Sequence, residues 1–149
     1  MRYAIGCDPN AMEMKLLLAE DLKSAGHSVT DMGSEDVIYA NVAIKVAEAV
    51  ASGEYDKGVL VCGTGIGMNI AANKVKGAYA ALVTDALSAE KARTSNNANI
   101  ICMGANTLAY PLARKLLEIW DRQEFDTSSP SAPKVDAFVN YDKSRNKRV

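Results

Sequence analysis

Residues 59–74 read VLVCGTGIGMNIAANK: an unbroken apolar run, a cysteine at its end, glycines at 63, 65 and 67, then a helical pattern. An apolar run without alternation predicts a strand covered on both faces, as in a parallel sheet. The glycines predict a tight turn into a helix, with backbone N–H groups free to approach an anion. The block lacks both the GxGxxG spacing of dinucleotide sites and the GKS ending of a P-loop. A bare turn would satisfy the glycines alone. The strand context and the adjoining thiol favour ligand contact.

The same alternation continues in both directions. Strand patterns fall at 2–7, 27–33, 58–63, 78–84 and 99–104, and helical patterns at 13–26, 39–53, 67–74, 86–96 and 108–122. A Ser/Pro-rich break at 125–133 precedes a last helix at 134–144. Strands alternating with helices predict an α/β fold, an open parallel sheet with helices on both faces. Such sheets bind ligands beyond the carboxyl ends of their strands, where Cys7, Asp8, Cys62, Gly63 and Gly104 fall. The last helix has no strand to return to, so segment 126–149 is expected to lie against a second subunit.

Composition narrows the function. The 149 residues fit one domain, 1–149, with 48% apolar and 23% charged residues. A net charge of −1 gives no reason to expect a nucleic-acid or membrane partner, and the basic tail DKSRNKRV (142–149) reads as a solvated end. No stretch reaches transmembrane length and no signal peptide is visible. Three cysteines without a CxxC pair predict reduced thiols in a cytoplasm, with no zinc site. A single histidine, His27, argues against histidine-based metal sites and triads. It sits between a helix end and a strand start and reads as structural. No cofactor is expected.

Among candidate residues, Cys62 is either a small buried hydrophobe or a thiolate beside preorganised amides. In the second role it takes a proton from carbon next to a carbonyl while the amides hold the enediolate oxygen. Asp8 either anchors hydroxyls or caps the coming helix. The amides of SNNAN (95–99) suit sugar hydroxyls, though asparagine also ends helices. Cys7 and Cys102 read as packing.

GCD after the first strand, CGTGIGMNIAANKV after the third and SNNANIICMG into the fifth resemble the ribose-5-phosphate isomerase B and galactose-6-phosphate isomerase family. The likeness spans nearly the whole chain. It implies a three-layer α/β/α sandwich with a five-stranded Rossmann-like sheet, and metal-independent aldose–ketose isomerisation of a sugar phosphate. It further implies a homodimer, or a dimer of dimers, with sites shared between subunits. Under the resemblance Cys62 is the base, the amides of Gly63, Thr64, Gly65, Ile66 and Gly67 form an anion hole, Thr64 assists proton movement, and Asn96 binds the sugar.

The departures sharpen this. Pro9 stands where the family usually has histidine, and Ser95 where a ring-opening histidine is usual. Family arginines that hold phosphate correspond to Asn106, a residue near Ser129, and Lys134. A pentose 5-phosphate closes a ring that must be opened, whereas a tetrose 4-phosphate cannot cyclise. The variants SNNA and SAPKVDAF are similar to a branch associated with erythrulose 4-phosphate, so a four-carbon substrate is expected over ribulose 5-phosphate. A degenerate binding module and a flavodoxin-like nucleotide protein are the competing expectations.

Overall fold

The computed structural model of the protein describes residues 1–33 and 35–145. The last four residues of the basic tail lie outside the described residues. The order is β1 (Arg2–Cys7), a 3-10 turn (Pro9–Ala11), α1 (Met12–Ser24), β2 (Ser28–Asp31), α2 (Tyr39–Ala51), β3 (Lys57–Cys62) and α3 (Ile66–Ala72). It continues with β4 (Ala80–Leu82), α4 (Ala86–Thr94), β5 (Ile100–Gly104), α5 (Tyr110–Arg122) and α6 (Ala132–Ser144). All strand pairs are parallel, in the order β2-β1-β3-β5-β4.

Every residue of the central strands β3 and β5 is buried, as their unbroken apolar runs require. Alternation divides their side chains between two layers. Val59, Val61, Ile101 and Met103 join the core under α1, α4 and α5, while Leu60, Cys62, Ile100 and Cys102 join the core under α2 and α3. The three-layer sandwich is therefore the observed architecture.

The edge strands are shorter than their patterns. β4 pairs over three residues only, and side-chain amides bond its first residue and the turn before it. Asn73 accepts from Ala80 N at 2.9 Å and donates to Ala80 O at 2.8 Å. Asn99 accepts from Tyr79 N at 2.8 Å and donates to Gly77 O at 3.0 Å. β2 stops at Asp31, and Gly33 then turns with φ of 110°. Proline sits in the first turn of both α5 and α6, where its missing N–H costs no helical bond.

A polar cluster ties the amino ends of the strands to α5. The Asp121 carboxylate accepts from the Tyr3 hydroxyl and from His27 Nε2 at 2.8 Å, and Lys57 Nζ lies 3.5 Å away. His27 Nδ1 faces the amino terminus at 3.2 Å. Lys57 is 4% exposed and also sits 4.9 Å above the Trp120 ring. Burial pushes the Asp121 carboxyl up, but bonds from Tyr3 and His27 and the Lys57 charge bring it below its ordinary value. Stability from this group is accordingly present above the ordinary carboxylate range and lost as pH falls through the lowered folded-state value. Asp121→Ala leaves a buried ammonium without its counter-charge. Denaturant titration is expected to show a loss of about 3–5 kcal/mol, and a loss under about 1 kcal/mol would contradict this account of the cluster.

Candidate active site

The carboxyl ends of β1, β3 and β5 meet in one braced group. Asp8 N–H donates to Val61 O at 3.0 Å, Ala105 N–H to Cys62 O at 2.8 Å, and Asn106 N–H to Gly63 O at 2.9 Å. Cys62 ends β3 in register with Gly104 of β5. The turn between β3 and α3 thus lies against the end of β5.

Two glycines make that approach possible. Gly65 has φ of 80°, and a Cβ there would stand 2.6 Å from Leu82 Cδ1 and 2.9 Å from Met103 C. A Cβ on Gly104 would stand 2.6 Å from Thr64 C. Both positions need a residue without a side chain.

The close turn sets the environment of the sulfur. Gly65 N–H donates to Cys62 Sγ at 3.1 Å, which points a partial positive charge at an atom in a residue 6% exposed. Ile66 N–H donates to Thr64 Oγ1 at 3.3 Å. The Gly63 and Thr64 amides make no hydrogen bond among the described residues. Of the five amides expected to form an anion hole, those of Gly65 and Ile66 are engaged within the turn. Cys102 is fully buried, and burial pushes its thiol up. Cys7 is fully buried in the opposite layer.

Asp8 caps the 3-10 turn through Oδ1, which accepts from Asn10 N at 2.8 Å; its other oxygen has no described partner. Pro9 occupies the first position of that turn. Asn106 is exposed, with Nδ2 3.1 Å from where a Gly63 Cβ would be.

Ser95, Asn96 and Lys134 do not join this group within the chain. α4 leaves the carboxyl end of β4 and runs back, so Ser95 caps it just before β5 begins. The paired span from Gly58 and Ile100 to Cys62 and Gly104 separates the two edges, about 13 Å of strand. Asn96 is exposed there, its Nδ2 donating to Lys91 O at 3.1 Å and its Oδ1 without a described partner. Asn97 and Asn99 serve the fold, as acceptors for Arg93 and Tyr79. Lys134 is exposed on α6, a helix anchored to Gly77 and Tyr79 ahead of β4. The chain therefore splits the expected set of site residues between the two ends of its sheet.

The sequence reading missed Tyr39. Its ring lies against Gly67, where a Cβ would come within 2.6 Å of Cε2, and its hydroxyl has no described hydrogen bond. An aromatic residue opening an amphipathic helix gave only a packing signal. Two cavities lie elsewhere. One of about 350 Å³ opens at the amino edge beside Lys57, Arg93 and Glu124, and one of about 250 Å³ lies beside Asp36 and Lys45. The Cys62 turn combines a thiol with unengaged amides, whereas the larger cavity offers cations already facing Asp121 and Glu124.

Residues 3–138 match the model of the Ribose/Galactose Isomerase family. The chain belongs to this family. It is an aldose–ketose sugar-phosphate isomerase of the ribose-5-phosphate isomerase B type. It is similar to ribose-5-P isomerase B of Listeria innocua, 45% identical over 145 residues covering 95% of this chain and 97% of that one. It is also similar to D-erythrulose-4-phosphate isomerase of Pectobacterium atrosepticum, 41% identical with 95% of each chain covered. The structure of Clostridium thermocellum ribose-5-phosphate isomerase B aligns with a TM-score of 0.90 at 38% identity, covering 96% of this isomerase and 98% of that chain. The competing binding-module and flavodoxin-like expectations are set aside.

Gly65→Ala tests the site's geometry. It imposes a left-handed Ala and a clash, so the isomerase is expected to lose about 1–3 kcal/mol of stability and most of its turnover. Wild-type turnover in this variant would show that the turn is not what presents the sulfur.

Proposed function

We propose that this isomerase acts as a homodimer in which Cys62, Thr64, Asp8 and Asn106 of one protomer meet Ser95, Asn96 and Lys134 of the other. The observation that carries this is the split of these residues between opposite sheet edges. A partner presenting its amino edge to the Cys62 edge completes both sites by symmetry. Exposed apolar side chains beside the turn, Val37, Ile38, Ile66 and Ile70, suit coverage by protein.

In this reading the Cys62 thiolate takes a proton from the carbon beside the substrate carbonyl. The Gly63 and Thr64 amides receive the enediolate oxygen, Thr64 Oγ1 relays the proton between oxygens, and Cys62 returns its proton to the neighbouring carbon. Asp8 and Asn96 use their open oxygens on substrate hydroxyls. Lys134 and Asn106 hold the anionic end, Lys134 as a point charge rather than a bidentate fork. Gly65, Ile66, Gly67 and Pro9 shape the wall.

The substrate we favour is an open-chain tetrose or tetrulose 4-phosphate. His27 is the chain's only histidine and is committed to Asp121 at the amino edge. Neither protomer then supplies an imidazole for ring opening, and a serine hydroxyl at Ser95 does not titrate near neutrality. The likeness to an erythrulose-4-phosphate isomerase supports the same reading. We place the enzyme in the cytoplasm, with Cys62 and Cys102 as free thiols in keeping with a reducing compartment.

Cys62→Ala is expected to lower kcat by about 10²–10⁴-fold with an unchanged circular dichroism spectrum. Retained proton exchange into solvent would remove the thiol from the mechanism. For wild type, kcat/KM on erythrose 4-phosphate is expected to exceed that on ribose 5-phosphate by about tenfold or more. A preference for ribose 5-phosphate would overturn the tetrose assignment and leave the dimeric isomerase standing.

A further inference from the structure

The last helix is held by few residues. Along α6 only Val135 and Asp142 are buried, and Phe138 between them meets the Tyr79 ring at 5.4 Å. Positions 135, 138 and 142 follow i, i+3, i+7, one stripe of a helix. Ser131 provides no side-chain cap at the start. The polar part of the attachment is therefore concentrated at one carboxylate. Asp142 Oδ2 accepts from Gly77 N at 2.7 Å and from the Tyr79 hydroxyl at 3.1 Å, while Oδ1 faces Arg145. Lys76 Nζ closes the same end on Lys143 O at 2.6 Å. Gly77 and Tyr79 are themselves fixed by Asn99, so the anchor is continuous with the sheet.

Lys134 lies eight residues upstream, about 12 Å along the helix axis. It is exposed, and its side chain has no described partner. No described side-chain bond fixes the Lys134 ammonium, so its position follows that of the helix. We propose that Asp142 is a positioning residue for substrate binding, locking α6 against the Gly77–Tyr79 turn so that Lys134 is presented at a fixed point to the anionic group of the substrate. This rests on the composite-site reading above. The carboxylate touches no substrate and acts only through the helix. Its loss frees the lysine to sample many positions, which weakens ground-state binding while leaving the thiol chemistry intact.

The test compares Asp142→Ala, Lys134→Ala and the double variant, with inorganic phosphate as a competing anion. Lys134→Ala is expected to raise KM and the phosphate inhibition constant by roughly tenfold or more. Asp142→Ala is expected to raise both about three- to tenfold, with kcat and the mass in solution unchanged. In the Lys134→Ala background Asp142→Ala should add nothing, whereas a merely structural role would add its effect in full. If Asp142→Ala lowers kcat, alters the assembly or leaves KM unchanged while Lys134→Ala raises it, the positioning role is overturned. If Lys134→Ala itself leaves KM and phosphate inhibition unchanged, the failure belongs to the composite-site reading instead.

Discussion

The site depends on how closely a backbone turn can approach the end of a neighbouring strand. Gly104 offers no Cβ to the carbon atoms of Thr64, and Gly65 adopts a left-handed conformation against Met103 and Leu82. With both conditions met, the turn folds back and the Gly65 amide reaches the Cys62 sulfur. A side chain at either position would move the amides outward. The sulfur would then be one more buried thiol, like Cys102.

The strands and their ends brace that turn. The central strands are buried on both faces, so β3 and β5 have fixed register and their ends cannot slip. Amide side chains secure the edge strand, Asn73 on Ala80 of β4 and Asn99 on Gly77 and Tyr79 before it. At the far edge, Asp121 gathers Tyr3, His27 and Lys57 into one charged cluster. The chain's only imidazole is spent there as a structural donor, which bears directly on what chemistry remains for the site.

Much of this was legible in the sequence, for physical reasons that differ by residue. Strand and helix patterns survive because burial on both faces leaves unbroken apolar runs, and because glycine marks the turns. Cys62 was read as either a buried hydrophobe or a thiolate beside amides; it is buried at the end of β3, with the Gly65 N–H on its sulfur. Edge lengths were not legible, since Asn73 and Asn99 act across distances that local pattern does not show. Asp8 was read as anchor or cap; its Oδ1 is a cap, and its second oxygen remains open. Ser95 and Asn96 lay in SNNAN and Lys134 in SAPKVDAF, yet a motif does not say at which end of the sheet it falls. The return direction of α4 decides that, and it places Asn96 away from the thiol of its own chain. Tyr39 was overlooked because an aromatic residue at a helix start resembles any other core contact.

The central claim is that two protomers build each site together, and mixing inactive variants tests it most directly. Cys62→Ala and Asn96→Ala subunits, each deficient alone, are unfolded, mixed in equal amounts and refolded. A shared site predicts recovery of about a quarter of wild-type activity, since half of the dimers are mixed and each of those holds one intact site. Activity no higher than the average of the two separate variants would contradict the account.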